Sequence, residues 1–323
     1  MIYALIFVLL LVSELIYFAV AVRSGIIDRP NHRSSHIEPT VKGGGIIFAL
    51  GAWIAAAFFG LHYPLFYMGL TLLAVISLRD DIHPLSGPIR LTAQLVAMTV
   101  LMCGPVFVAT MQWWAFPIVI IAGIWAINAY NFMDGINGMT AAYSLTVLGT
   151  LCYIETRTDF VAQPFIIVMM IAVAVFSLFN FRARARCFAG DVGSISMGFI
   201  MVFLLGRLIA VTGDFSYLVL VAVYGVDSAL TLFHRLLLRQ NILHAHRMHL
   251  YQIMANELHM PHRAVALIYG GIQAIVSAGL LLLPAGRYLY AFSVLIILCG
   301  AYVLFMRKYF DLHKRTLCYN ASK

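Results

Sequence analysis

The strongest constraint on this chain is a succession of apolar runs, each close to the length that crosses a hydrocarbon layer. Eleven can be marked, at roughly 2–22, 44–60, 65–79, 91–110, 114–131, 139–154, 164–181, 193–212, 216–233, 264–284 and 288–306. A membrane helix needs about 20 predominantly apolar residues. Several of these runs sit at or below that length, and "LHYP" at 61–64 leaves only a very tight turn. The chain is 63% hydrophobic and 11% charged, where a soluble domain is about 25% charged. One water-soluble core cannot hide that much apolar surface. The fold class read here is all-α: a polytopic membrane protein of about 10–11 transmembrane helices, forming a single integral-membrane domain over 1–323. No soluble domain, low-complexity tract or internal repeat is visible.

Basic residues set the expected orientation. With the N-terminus on the periplasmic side, only Arg157, Arg207 and Arg287 of the 21 lysines and arginines fall outside. Cytoplasmic loops carry the excess of Lys and Arg, so the C-terminus is expected in the cytoplasm. The basic loops therefore read as topology signals facing a lipid bilayer, with no nucleic-acid partner. The first span has no basic residue before it and Arg23 after it, so it reads as an uncleaved span and not as a signal peptide. Cys103, Cys152, Cys187, Cys299 and Cys318 make no CxxC pair, which implies neither a zinc site nor a disulfide framework.

The acidic residues narrow the function. Asp80 and Asp81 lie in "LRDDIHPLSGPIR", Asp134 in "NAYNFMDGINGM" and Asp191 in "RCFAGDVGSISMG", each at the inner end of a different span. Carboxylates near a membrane are costly and tend to be paired, metal-bound or functional. Adjacent carboxylates repel unless a cation or proton compensates. Mg²⁺ takes a few carboxylates and fills its remaining positions with water and phosphate oxygens. Asp80, Asp81 and Asp191 are thus the catalytic candidates, and Asp191 can serve a metal or cap the helix that begins near Gly193. Mn²⁺ is the alternative ion.

Asn128, Asn131, Asp134 and Asn137 follow at steps of three, with Gly135 and Gly138 between them. On a helix end they form a slowly rotating polar stripe. Amides offer donors and acceptors together, as a base or sugar requires; amides that glue helices together are the bland alternative. Lys42 precedes Gly43, Gly44 and Gly45, a flexible entry that suits a phosphate or a plain linker. Loop 234–263 carries His234, His244, His246, His249, His259 and His262, interleaved with Arg235, Arg239 and Arg247. The irregular spacing favours phosphate binding over metal binding, and an amphipathic arm on the anionic leaflet is the alternative.

These motifs, in the order "DRPNHRSSHIEPTVKGGG", "RDDIHP", "NAYNFMDGINGM", "FAGDVGS" and "HRMHLYQ", resemble the polyprenyl-phosphate N-acetylhexosamine-1-phosphate transferases. That family includes phospho-N-acetylmuramoyl-pentapeptide transferase, and the first and last motifs are most similar to its O-antigen-initiating branch. The resemblance implies transfer of a sugar-1-phosphate from a UDP-N-acetylhexosamine to undecaprenyl phosphate, with Mg²⁺ and release of UMP, at the cytoplasmic face of the inner membrane. Loops 23–43, 79–90, 128–138, 182–193 and 234–263 would form the site. By this resemblance Asp191 would ligate Mg²⁺. Asp80 and Asp81 would handle the acceptor phosphate, with one of them acting as base or helping to bind the metal. Asn128, Asn131 and Asp134 would shape the nucleotide pocket, with Asn180 a weaker candidate. Arg247 and His249 would bind the diphosphate or sugar. Asn137 departs from relatives that carry Asp there, and Tyr251 and Gln252 stand where other branches have histidines. A homodimer is compatible with this class. The competing reading is a transporter or channel, which would need polar residues at both ends of the bundle. A CDP-alcohol phosphotransferase would place its aspartates on one short motif.

Overall fold

The structure, a computed structural model, describes residues 1–29, 38–241, 247–283 and 285–321, with side chains as far as residue 312 in the last helix. Among these residues are thirteen α-helices, as the apolar periodicity requires. Helix α1 spans Ile2–Ser24, α2 Ile46–Phe59, α3 Pro64–Ile82, α4 Gly87–Met102, α5 Pro105–Thr110, α6 Ala115–Met133 and α7 Met139–Thr158. Helix α8 spans Gln163–Asn180, α9 Gly190–Thr212, α10 Ala222–Leu237, α11 Leu250–Asn256, α12 His262–Leu282 and α13 Arg287–Ala321. A 3-10 segment, Phe215–Val221, leads into α10, and two-residue strands β1 (Ile27–Asp28) and β2 (Thr40–Val41) pair antiparallel. Seven helical segments are long and apolar enough to cross a membrane, and α2 and α4 are shorter apolar helices.

Each expected apolar run is found as helix, seven of them long and apolar enough to span, with three corrections of bounds. The run 91–110 is broken at Cys103–Gly104 ahead of Pro105, so α4 and α5 are separate helices. Proline cannot donate to the preceding turn and clashes with it. The stretch 128–138 is not a loop throughout, because α6 continues to Met133 and carries Asn128 and Asn131 on the helix itself. Loop 234–263 contains the end of α10 and all of α11.

Helix α9 is central, packed on α2, α3, α6 and α7. Small residues allow the close crossings: a Cβ on Gly198 would lie 3.0 Å from Ile127 Cα of α6. Helices α1 and α13 flank the bundle and keep most of their surface outward. Polar groups gather at the two ends. At one end, Glu155 accepts the N–H of Phe160, Arg207 donates to the Phe160 carbonyl, and Arg287 pairs with Asp214 at 3.0 Å. These groups are spent on tying loops together. The other end holds the acidic motifs.

Candidate active site

Four helix ends converge there. Helix α3 delivers Asp80 and Asp81 in its last turn, α4 delivers Arg90 in its first, α6 ends in the turn 134–138, and α9 begins at Gly190. The adjacent aspartates face different partners, and each is compensated by a cation of its own, Lys42 for Asp81 and Arg90 for Asp80. The Asp81 side chain is fully buried and salt-bridged to Lys42 Nζ at 3.0 Å. It also accepts the backbone N–H groups of Asp191 at 2.9 Å and Val192 at 3.0 Å. A carboxylate at a helix N-terminus satisfies otherwise orphaned donors and meets the positive end of the dipole. Asp80 turns the other way, accepting from Leu85 N–H and from Arg90 Nη1 at 3.2 Å. Arg90 also reaches Asp191 Oδ2 at 3.5 Å.

Asp80 and Asp191 therefore share one guanidinium, leaving a negative charge uncompensated. That donor set fits a divalent cation that keeps most of its ligands as water and substrate oxygens. Among the described residues no group of three or more His, Cys, Asp or Glu side chains could hold a metal by itself. The histidines disperse. His234 packs on Phe310, His249 on Asp227, and His262 Nδ1 accepts from Asn137 N–H at 3.4 Å. His244, His246 and residues 30–37 of the first motif lie outside the described residues.

The Gly43–Gly44–Gly45 run is neither a linker nor a free phosphate loop. Gly44 and Gly45 donate backbone N–H groups to Phe188 and Ala189 carbonyls at 2.9 and 3.0 Å. A Cβ on Gly45 would sit 2.3 Å from Gly193 Cα, so only glycine lets these two backbones meet. This contact brings Lys42 to Asp81. Burial works against the Lys42 charge, but Asp81 and Asp191 outweigh it and leave its pKa raised, so Lys42 stays a cation.

Two cavities meet at this cluster. A polar chamber of about 230 Å³ is lined by Lys42, Asn131, Asp134, Asn137, Asp191 and Gln252, among others. A larger, mostly apolar chamber of about 830 Å³ runs between α3, α4, α6 and α9, walled by Leu73, Ile76, Leu91 and Ile195 with Arg90 at its edge. Asn131, Asp191 and Gln252 line both.

The amide candidates divide. Asn131 remains on the shared wall, its Oδ1 accepting from Ser194 at 2.7 Å. Asp134 faces the polar chamber and accepts from Thr140; burial pushes its carboxyl up to about 7. Asn128 exchanges amide hydrogen bonds with Gln94 of α4 at 2.6 and 3.3 Å, which ties α4 to α6, and lines the apolar chamber. Asn180 lines the polar chamber, while its Oδ1 accepts from Gly138 N–H at 2.7 Å and its Nδ2 donates to the Cys187 carbonyl at 2.8 Å. Both ends of that buried amide are spent on the chain. The Asn137 amide lines the polar chamber, but its donors go to the carbonyls of Arg182 and Ala183 at 3.1 and 3.3 Å. Arg247 lines neither chamber, and His249 lines the apolar one.

Sequence reasoning missed three residues. Arg90 was read only as a topology charge. Gln94 looked like an ordinary polar residue in a span. Asp227 sits inside the run 216–233, and a carboxylate within a membrane span was the available signal.

The acidic cluster of this polytopic helical membrane protein joins a polar chamber to an apolar one, an arrangement that suits one water-soluble and one lipid-soluble ligand. Residues 63–209 match the model of glycosyl transferase family 4. It is 25% identical over 310 residues to a probable undecaprenyl-phosphate N-acetylglucosaminyl 1-phosphate transferase of Bacillus subtilis (strain 168), covering 89% of this chain and 84% of that one. It is 26% identical over 227 residues to undecaprenyl-phosphate alpha-N-acetylglucosaminyl 1-phosphate transferase of Escherichia coli (strain K12), covering 62% of this chain and 60% of that one. The relative of that name from Yersinia pestis is 27% identical over 205 residues, covering 58% of this chain and 56% of its own.

Proposed function

We propose that this protein transfers N-acetylhexosamine-1-phosphate from a UDP-sugar to undecaprenyl phosphate, releasing UMP. The observation that carries the reading is the position of Asp191 on the wall common to the polar and apolar chambers. The polar chamber suits the nucleotide sugar, which is UDP-GlcNAc or a related UDP-N-acetylated amino sugar such as FucNAc, QuiNAc or GalNAc. The apolar chamber suits the first isoprene units of the acceptor. The site faces the cytoplasm, and the protein lies in the bacterial inner membrane as a single domain, compatible with a homodimer.

An acceptor phosphate oxygen attacks the β-phosphorus, the bond to the UMP oxygen breaks, and UMP leaves with the electron pair. The acceptor is already an anion at pH 7, so no strong base is needed. Asp81 is buried with its oxygens occupied, which disfavours an aspartyl-phosphate on that residue. Asp80 and Asp191 would hold Mg²⁺, or Mn²⁺, which when bound neutralises charge on the phosphate oxygens. Arg90 and Lys42 are the chain's own cations beside the reacting phosphates. Asn131 and Asp134 face the nucleotide.

The test is a membrane assay with undecaprenyl phosphate, Mg²⁺ and a panel of radiolabelled UDP-N-acetylhexosamines, with EDTA controls. Label in the lipid fraction together with UMP is the expected result. UDP release would mean glycosyl transfer instead, and no product from any donor would return weight to a transport function.

A further inference from the structure

Gln94 is a buried amide that the transfer described above does not use. It lies on α4 one turn beyond Arg90, 5% exposed, and both residues line the apolar chamber. Residues four apart on a helix share a face, so α4 presents a guanidinium and then an amide to that chamber. The Gln94 amide forms a reciprocal pair with Asn128 of α6. Asn128 Nδ2 donates to Gln94 Oε1 at 2.6 Å, and Gln94 Nε2 donates to Asn128 Oδ1 at 3.3 Å. A third bond fixes which way round the pair stands, because Asn128 Nδ2 also donates to the Ile124 carbonyl at 2.8 Å. A carbonyl only accepts, so the Asn128 atom beside it is the nitrogen. Gln94 is thereby held with Nε2 opposite Asn128 Oδ1.

Each amide nitrogen carries two hydrogens. Both of those on Asn128 are spent, on Gln94 and on Ile124. One of those on Gln94 Nε2 is spent on Asn128, and among the described residues no acceptor meets the other. A buried donor without an acceptor is costly, and the walls nearby are apolar, with Leu73, Ile76, Leu91 and Ile195. The missing acceptor is therefore an oxygen of whatever fills the chamber. Arg90, one turn back at the chamber edge, makes that oxygen an anionic one. We propose that Gln94 is a binding residue for the phosphate of the lipid acceptor, giving its second Nε2 hydrogen to a phosphate oxygen where the headgroup passes into the apolar chamber. A neutral donor suits that depth, where a further buried charge would cost more. Asn128 holds the amide in the orientation that leaves this hydrogen available. The inference rests on the transferase reading above and adds to it the group that anchors the acceptor.

Binding of undecaprenyl phosphate and of undecaprenol, its uncharged parent alcohol, to the whole protein in detergent tests this without turnover. Gln94→Leu should weaken undecaprenyl phosphate about tenfold or more and undecaprenol less than about threefold, because a hydrogen bond to a charged acceptor is the stronger. Equal losses for the two lipids would mean that the chamber has only been reshaped. An unchanged affinity for the phosphate would mean that the amide does not reach it. Either result overturns the proposal. Should Gln94→Leu fail to fold, Gln94→Glu keeps the length and the Oε1 contact with Asn128 and, ionised, removes the donor; the same two affinities then decide. A preference for the phosphate that survives in the variant sinks the role of Gln94 alone. No preference in the unsubstituted protein would strike the transferase reading, and the proposal with it.

Discussion

The Asp81 carboxylate accepts the backbone N–H of Asp191 at 2.9 Å, so one acidic motif is the N-terminal cap of the helix that carries the other. The loop Lys42–Gly45 closes over the same point through the Lys42–Asp81 ion pair. Two aspartates side by side in sequence thereby acquire different work. Asp81 builds the site, and Asp80 faces Asp191 across Arg90.

This division predicts different phenotypes for two neighbouring substitutions. Asp81→Asn should destabilise the protein by roughly 1–3 kcal/mol, through loss of a buried cap and of the charge opposite Lys42. Asp80→Asn and Asp191→Asn should abolish transfer while leaving thermal unfolding in detergent nearly unchanged. Unfolding midpoints and turnover measured on the same preparations check this; a stable Asp81→Asn protein would count against the capping role.

Asn180 provides a second contrast. Asn180→Ala strands the Gly138 N–H and the Cys187 carbonyl, at a cost of about 2–4 kcal/mol for two buried groups. The apparent KM for the UDP-sugar should stay within about twofold in whatever fraction folds. A large rise in that KM with normal stability would restore Asn180 to the substrate pocket.

Asp134 should impose a pH dependence on stability. Burial pushes its folded-state carboxyl up to about 7 from the usual carboxylate range of about 4. Between those values the folded protein holds a proton that the unfolded chain has released, so stability falls as pH rises. The midpoint of the unsubstituted protein, relative to Asp134→Asn, should drop from pH 5 to pH 7 and level off above about pH 8. A difference independent of pH would show that burial does not perturb this group.

The apolar chamber can be filled from α3. Ile76→Trp should raise the apparent KM for undecaprenyl phosphate by about tenfold or more, with the KM for the nucleotide sugar little changed. A water-soluble short-chain acceptor should lose less. Equal effects on both substrates would mean that the two chambers are not separate binding sites.

Sequence reading went furthest with the fold, because apolar runs near 20 residues have few alternatives to membrane helices, and their polar interruptions mark the ends where function gathers. Asp80, Asp81, Asp134 and Asp191 could be named for that reason, since a carboxylate at such a place must be compensated by something. Residue type and spacing state that demand without saying what meets it. Asn131 and Asn128 lie one turn apart on α6, yet one lines the chamber wall shared with Asp191 and the other is paired with Gln94. Asp81 meets Asp191 from 110 positions away, and Asn180 meets Gly138 from 42. The sequence by itself determined the class of fold and the polar residues that required partners. Only the tertiary structure decided which of them were spent on the protein's own backbone and which were left facing the chambers, because hydrogen-bond partners are set by helices meeting in space and not by their order along the chain.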